Sequence, residues 1–333
     1  MATKQPSPTR TAVIEGAVAP LDALHFAAVA DAVLRAPMPA GRRARRDTEG
    51  SNAAAPHIGT LQEKRLHATL KAYLCADETC HERPVGDMVA EDGKKPRRMV
   101  ADILRDGEIL EIQTGGFFPL RDKVAWYLAH TPCRVTVVHP IAAVRYLSWI
   151  DPADGSVISR RRSPKRGRVR DVARELYWLS DFIGDPRLSI RILLVELEEY
   201  RMADGWSRDG KRGSNRYERF PTALLGDVTL STPADYATYF FPPSLASIGA
   251  DGERIPFTAA DYARATGIRG RATYSLIHLL TRLGVIRETE ETIGRARGYV
   301  VASAVTSTLP SGTHTDSKQG WLSPLKKQPS EKH

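Results

Sequence analysis

Residues 99–113 read Met99-Val-Ala-Asp-Ile-Leu-Arg-Asp-Gly-Glu-Ile-Leu-Glu-Ile-Gln113. The pair Asp106-Gly107 separates two short apolar runs, and Asp-Gly in that position is a strong local signal for a β-hairpin. The stretch therefore predicts two antiparallel strands joined by a turn at residues 105–108.

Three polar residues interrupt these apolar strands: Asp102, Glu111 and Gln113. Because alternate residues of a strand share one face, Glu111 and Gln113 should point the same way, with Asp102 on the neighbouring strand. Carboxylate and amide oxygens are suitable ligands for a hard divalent cation. The hairpin therefore predicts a metal site.

This arrangement resembles the PD-(D/E)XK nuclease superfamily, whose members carry an Asp on one strand and Glu-x-Lys on the next. Some restriction endonucleases of the superfamily have Gln in place of that Lys, and Asp102 with Glu111-Ile-Gln113 matches the variant. The resemblance implies catalytic roles for Asp102, Glu111 and Gln113, and Mg²⁺ or Mn²⁺ held by Asp102 and Glu111. The alternative is an ordinary hairpin with polar residues on its solvent face.

A helix is predicted before the hairpin, over residues 58–74, where Leu66, Leu70 and Leu74 recur at helical spacing. In the superfamily the first helix often supplies a metal-binding Glu, and Glu63 has that place here. Thr60 and Glu63 also form a capping box, which is a structural alternative for the same residue.

A Gly-rich turn, a helix ending near His130 and a β-branched strand from Cys133 to Pro140 follow the hairpin. The order helix, hairpin, helix, strand is the common core of the superfamily. Lys123 on the second helix is then a candidate catalytic replacement for the missing motif lysine. The alternative is a solvated helix lysine.

The segment Gly86–Arg98 leaves a second choice of ligand open. It places three acids just before the hairpin, and one of them would be the metal ligand if the predicted strand register is wrong: Asp87, Glu91 and Asp92.

Residues 169–183 predict a further helix, residues 188–196 a strand, and residues 216–221 its partner. The fold class expected is α/β, with a mixed central sheet flanked by helices as in restriction endonucleases. A small winged-helix domain would follow.

Residues 257–301 resemble a winged helix-turn-helix. Thr258 and Asp261 mark the start of a first helix, residues 271–283 form the second, and Gly284 should end it in a left-handed conformation. In the DNA-binding version the second helix enters the major groove. The alternative is a protein-interaction or dimerisation module.

The candidate DNA contacts of this module are arginines near its second helix and in its wing, with two hydroxyl residues of the helix as further candidates: Arg269, Arg271, Arg282, Arg295, Arg297, Thr273 and Ser275.

The net charge of +9 is concentrated in clusters. Such runs favour polyanionic partners, because neutralised phosphates release counterions. A solvated basic loop is the bland alternative. The main cluster consists of Arg160, Arg161, Arg162, Lys165, Arg166, Arg168 and Arg170, and two others are Arg208, Lys211, Arg212, Arg216 and Arg219, and the run Gly41–Arg46. DNA is the expected partner, with RNA and a homodimer left open.

The expected domain organisation is a disordered basic tail over 1–56, a nuclease-like domain over 57–240, a winged-helix domain over 241–305 and a disordered tail over 306–333. A short helix around Leu21–Leu34 is an alternative for part of the first tail. No apolar run is long enough to cross a membrane, and no secretory signal is apparent. Three cysteines argue against a disulfide framework. These features predict a cytoplasmic protein without a membrane partner.

The chain is also similar to an uncharacterised bacterial family with motifs that stand here at Ile58–Lys64, Glu111–Gly115 and Ser163–Gly167, within residues 58–301. The function expected is a metal-dependent DNA endonuclease. The alternatives are a catalytically inactive nuclease fold that binds DNA or regulates, and an adaptor in a bacterial assembly.

Overall fold

A computed structural model describes residues 22–36, 64–88, 97–151, 154–202 and 216–302. Several predictions fall outside these ranges, namely those on Glu63, Glu91, Asp92, Arg208, Lys211, Arg212, the run Gly41–Arg46 and the tail after residue 302.

The described residues form seven α-helices and nine β-strands. The helices are α1 (Ala23–Arg35), α2 (Lys64–Leu74), α3 (Arg121–His130), α4 (Ala173–Leu176), α5 (Pro233–Phe240), α6 (Ala259–Thr266) and α7 (Arg271–Arg282). The strands are β1 (His81–Met88), β2 (Arg97–Arg105), β3 (Glu108–Ile112), β4 (Arg134–Ile150), β5 (Val157–Arg162), β6 (Leu188–Met202), β7 (Arg216–Leu230), β8 (Ile286–Ile293) and β9 (Ala296–Val301).

The predicted hairpin is confirmed. Strands β2 and β3 pair antiparallel, with Arg105 opposite Glu108. Asp106 and Gly107 between them both have positive φ, 48° and 71°. Two left-handed residues match the twist of the flanking strands, and this is why Asp-Gly is favoured there.

The central sheet is mixed and has the order β1-β2-β3-β4-β6-β7, with β5 attached to the far half of β4. The pairs β3–β4 and β4–β6 are parallel, and the others in this sheet are antiparallel. A parallel neighbour requires a crossover connection, which α3 provides between β3 and β4. The expected α/β class with a mixed sheet flanked by helices is confirmed.

Both faces of the sheet are covered. One core cluster joins the sheet to α3, α4, α5 and α7, and the other joins it to α1 and α2. Strand β6 is accordingly apolar on both faces, with every residue from Ile192 to Val195 at most 1% exposed. A strand buried on both sides reads as a continuous apolar run rather than an alternating one.

Helix α1 lies within the tail predicted to be disordered. Phe26 is fully buried and Ala30 nearly so, in the core cluster that contains Leu66 and Leu70 of α2. The expectation of disorder across the whole tail is therefore wrong, whereas the short helix expected around Leu21–Leu34 is confirmed as Ala23–Arg35.

The single helix predicted over residues 169–183 is also wrong. A 3₁₀ turn, Val169–Val172, precedes the one-turn helix α4, and a second 3₁₀ turn, Tyr177–Leu179, follows it. The Ser180 hydroxyl donates to the Tyr177 carbonyl at 2.8 Å and so competes with regular helical bonding. The predicted apolar stripe is nevertheless buried, because three successive short turns keep one face towards the core.

The elements predicted after residue 257 are observed as α6, α7, β8 and β9. Thr258 and Asp261 form the capping box of α6. Gly284 follows α7 with φ of 67°, the predicted left-handed conformation. Leu276 and Leu280 of α7 belong to the same core cluster as the central sheet, so the apolar core is continuous across residue 240. The division into two domains there stays a prediction.

No helix in the described part of the chain is long and apolar enough to cross a membrane.

Gly167 fixes the basic segment to the sheet. Its N–H donates to the Ala142 carbonyl at 2.9 Å, and a Cβ at this position would lie 2.4 Å from Ile141 Cγ2 and 2.7 Å from the Ala142 oxygen. We predict that Gly167→Ala lowers the free energy of unfolding by about 2 kcal/mol, because backbone must move to admit the methyl group. Urea denaturation measures this. The control is Gly115→Ala, where the nearest atom lies at 3.8 Å; equal stability losses in both variants would contradict the account.

Candidate functional site

Glu111 is a buried carboxylate at the centre of the sheet, with the residue 2% exposed. Lys123 Nζ lies 2.7 Å from its Oε2. The Tyr127 hydroxyl donates to its Oε1 at 2.9 Å. Both carboxylate oxygens therefore have a strong donor, which is what a charge in an apolar core requires.

Helix α3 delivers both of these donors. Lys123 and Tyr127 are four residues apart and so lie on one face of the helix. Val124 and Tyr127 are fully buried and anchor that face against the sheet. The Lys123 side chain is 19% exposed, so its ammonium connects the buried carboxylate to the surface.

Asp102 lies on the neighbouring strand, at the point where pairing between β2 and β3 stops. The Cα register joins Ile103 to Leu110 and is not continued to Asp102. Instead, Asp102 Oδ2 accepts the backbone N–H of Ile112 at 2.8 Å and lies 3.3 Å from His67 Nε2 on α2. The side chain thus substitutes for a backbone acceptor and is fixed in position by two separate elements.

The two carboxylates have opposite pKa shifts. Burial raises the pKa of Glu111 to about 7, Lys123 opposes this shift, and the charge of Asp102 adds to it. Although burial acts in the other direction, His67, the Ile112 N–H and Lys123 together hold the pKa of Asp102 below its ordinary value. Asp102 is therefore a permanent anion at neutral pH, whereas Glu111 exchanges its proton near pH 7. Two carboxyl groups with diverging pKa values are typical of functional sites.

Gln113 binds the Gly-rich loop that follows β3. Its side-chain Nε2 donates to the Gly116 carbonyl, and the backbone carbonyl of Gln113 accepts from His139 Nδ1 at 2.6 Å. Phe117 N–H in the same loop donates to Glu175 Oε2 at 2.8 Å. The predicted catalytic amide thus shapes the loop beside Glu111.

The structure brings Asp102, Glu111 and Lys123 of the predicted site together. Sequence reasoning missed Tyr127 and His67. Tyr127 has a usable signal, since it follows Lys123 by one helical turn. His67 has a weaker one, as a polar residue beside the apolar stripe of α2.

The donor set has the right chemistry for a magnesium-type cation. Asp102 and Glu111 offer hard oxygen ligands, and Mg²⁺ commonly uses one or two carboxylates completed by water and substrate phosphate. Among the described residues there is no group of three His, Cys, Asp or Glu side chains able to hold a metal. The predicted third ligand, Glu63, stands one residue before α2. Asp87, the alternative ligand, is an exposed residue of β1 opposite Arg98.

The basic segment contributes most of its charge to the surface. Arg160 is exposed too, but it also forms a two-pronged contact with the buried Glu198, with 2.9 Å from Nη2 to Oε2, and covers the Tyr146 ring at 3.8 Å. Arg160 thus stabilises the strand as well as adding charge. The other predicted contacts in this segment are exposed, namely Arg161, Arg162, Lys165, Arg166 and Arg168.

The basic residues of the C-terminal elements fall into two groups. Arg282 lies 3.5 Å from Asp181 and Arg297 lies 3.1 Å from Glu288, so both have a local acid. Of the predicted DNA contacts, the remaining three are exposed and have no ion pair with a described residue: Arg269, Arg271 and Arg295.

Thr273 does not contact solvent. It is 3% exposed and its hydroxyl donates to the Ile268 carbonyl at 2.8 Å, so the interpretation of Thr273 as a DNA contact is wrong. The helix turn needs this hydroxyl to satisfy a carbonyl. Ser275 is half-buried and donates to the Arg271 carbonyl at 3.0 Å.

The fold and site define an α/β protein with a paired-strand carboxylate site completed by a lysine from the crossover helix. The family described as "Domain of unknown function (DUF8091)" matches residues 64–231, and the chain belongs to this family. The match runs from α2 to the end of β7 and so includes Asp102, Glu111 and Lys123.

A protein of Treponema pallidum (strain Nichols), described as an "Uncharacterized protein", is 28% identical over 163 residues. The alignment covers 49% of this chain and 57% of that protein, so the chain spans little more than half of its relative. No solved structure matches the chain.

The raised pKa of Glu111 gives a test of the site without any ligand. The pKa of Glu111 is about 7 in the folded protein and 4.5 ordinarily. At a pH between these two values the carboxyl group is therefore protonated in the folded state and ionised in the unfolded state. Stability must therefore fall as pH rises from about 5 to 8, by about 3 kcal/mol from this group. We predict that Glu111→Gln removes this component. Urea denaturation at the two pH values, with a chelator present, measures it.

The control for this experiment is Glu108→Gln, an identical change on the same strand, which should keep the fall seen in wild type. An unchanged fall in Glu111→Gln would show that Glu111 is ionised across the whole range and would contradict the account.

Proposed function

We propose that this protein is a metal-dependent endonuclease that cleaves phosphodiester bonds of DNA. One observation carries the proposal: Asp102 and Glu111 stand on adjacent strands, and Lys123 reaches Glu111 from the next helix at 2.7 Å. Three of the four side chains proposed for catalysis are thus neighbours, although they come from three different elements.

The order of elements around the site supports the proposal. Helix α2, the β2–β3 hairpin, helix α3 and strand β4 come in the order that the nuclease superfamily would require, with the additional strand β1 between α2 and the hairpin. Helix α2 also reaches the site, through His67. A restriction-endonuclease-like core is part of the proposal on this ground.

Asp102 and Glu111 would hold Mg²⁺ or Mn²⁺, with Glu63 as the proposed third ligand. When bound, such an ion polarises the phosphodiester and lowers the pKa of an attacking water. Asp102 is already ionised and fixed by His67 and Ile112, so one ligand needs no rearrangement.

Lys123 would have two positions. In the structure its ammonium neutralises Glu111. Once a cation takes over that charge, the long lysine stem allows Nζ to reach a substrate phosphate oxygen and stabilise its developing charge. Gln113 cannot act as a base, because an amide takes up no proton near neutral pH, so its proposed role is to position water or substrate.

The exposed basic residues supply the proposed DNA surface. Residues 161–168 carry five positive side chains on the surface of the nuclease-like part. Helices α6 and α7 with strands β8 and β9 have the order of a winged helix-turn-helix, and α7 exposes Arg271 and Tyr274 on one face. We include a winged helix that binds DNA in the proposal.

A second candidate is a catalytically inactive nuclease fold that binds DNA. It is favoured by the closed state of Glu111, which is 2% exposed and has both oxygens occupied by Lys123 and Tyr127. In that case the ion pair would be a permanent structural element. The two candidates differ in what metal does.

We predict that the wild-type protein cuts labelled duplex DNA in Mg²⁺ or Mn²⁺ and not in chelator. Glu111→Gln should lower the cutting rate by at least about 100-fold, since it removes a charge that holds the metal. Gel analysis of a panel of duplex, single-stranded and branched substrates measures this.

Glu108→Gln is the matched control and should cut at the wild-type rate. Cutting that persists in Glu111→Gln would place the catalytic site elsewhere. DNA binding without cutting of any substrate, unchanged by metal or by Glu111→Gln, would support the inactive fold.

A further inference from the structure

A cleft of about 510 Å³ lies between the first turns of the α4 region and the turn that joins α6 to α7. Three arginines line it: Arg170, Arg174 and Arg269. The only acid in its lining is Asp171. The cleft is thus strongly positive and is built from two separate parts of the chain.

The carboxylate of Asp171 closes a backbone turn, and its charge also acts on the neighbouring Arg170. Its Oδ2 accepts the backbone N–H of Arg168 at 2.9 Å and so closes the preceding 3₁₀ turn. Arg170 is held by the opposite wall of the cleft, which the end of α6 and the α6–α7 turn form. Its Nη1 donates to the carbonyl of Thr266, the last residue of α6, at 3.1 Å.

Arg174 and Arg269 are exposed, one on each wall. Neither has an ion pair with an acidic residue in the described ranges of the chain. Burial and the nearby Arg168 lower the pKa of Arg170, but a guanidinium still keeps its proton at neutral pH. The cleft therefore presents two exposed guanidinium groups that no described acid neutralises, beside the partly buried Arg170.

A phosphate group fits this charge and geometry. Guanidinium groups offer flat, forked sets of N–H donors that match phosphate oxygens, and a phosphate in the cleft would meet donors from both of its walls. The cleft also continues the exposed basic segment, since residues 165–168 lead directly into its wall, and Arg271 begins α7 beside the other wall.

We propose that this arginine cleft binds a phosphate group of the DNA backbone and so holds the nucleic acid between α4 and the α6–α7 turn. The inference rests on the DNA partner of the proposed function but not on its catalytic site. It assigns Arg174, which the basic run did not include, as a DNA contact. It also implies that the family domain and the C-terminal helices bind one duplex together.

The test measures binding of a short fluorescent duplex by anisotropy, in chelator so that no cutting occurs. Arg174→Gln and Arg269→Gln should each weaken binding about tenfold, the usual effect of one lost charge-assisted contact. Each should also reduce the slope of log affinity against log salt by about 0.9. The control, Arg264→Gln, removes an equal charge from an exposed position on α6 and should bind as wild type does.

Thermal unfolding of each variant confirms that the fold is intact. The same measurement with added inorganic phosphate shows whether phosphate alone stabilises the protein. Weakened duplex binding in both cleft variants, with a shallower salt slope, supports the proposal even if the protein never cuts DNA. Wild-type binding in both variants overturns it, whatever the cutting assay shows. If the cleft variants lose the thermal stabilisation by inorganic phosphate that wild type shows, but bind the duplex as wild type does, the cleft binds free phosphate and the DNA assignment is overturned. A wild-type protein that binds no duplex also overturns the DNA assignment.

Discussion

The contact between the Glu111 carboxyl group and the Lys123 ammonium is the interaction on which the rest of the site depends. A carboxylate buried in the middle of a sheet is costly unless an opposite charge and hydrogen-bond donors accompany it. Here the sheet supplies the carboxylate and the crossover helix supplies both partners, Lys123 and Tyr127. The position of α3 on the sheet is therefore fixed by the same contact that sets the protonation of Glu111. Natural folds tolerate such an expensive arrangement mainly where chemistry or binding uses it, and this is why the site outweighs the rest of the surface as a functional candidate.

The sheet places the second carboxylate without a comparable cost. Asp102 replaces a backbone acceptor for Ile112, so its charge is satisfied by the sheet itself and by His67. Asp102 is thus ionised at neutral pH, whereas the charge of Glu111 depends on the groups around it. A cation arriving between them would compete with Lys123 for Glu111 but would find Asp102 already prepared. The same contrast explains how the site can be closed in the free protein and still have ligands for a metal.

The sequence reveals the local features of this fold better than its long-range ones. The β2–β3 turn and the start of α6 were predictable because Asp-Gly and the Thr258–Asp261 box act within a few residues. The closeness of Lys123 and Glu111 was predictable only through resemblance to a nuclease family. Contacts such as His67 with Asp102, 35 residues apart, or Arg160 with Glu198, 38 residues apart, depend on how strands align and leave no local signal. The broken helix before β6 was missed for a related reason, since the same apolar stripe fits one helix or three short turns.

In the proposed metal site, Asp102 and Glu111 hold the ion and Lys123 is displaced from Glu111. A crystal structure grown with Mn²⁺ and a short duplex tests this arrangement, because anomalous scattering locates the ion. We expect an anomalous peak bound by both carboxylates, with Lys123 Nζ withdrawn from Glu111 towards a phosphate oxygen. Lys123 still paired with Glu111, and no peak between the two strands, would contradict it.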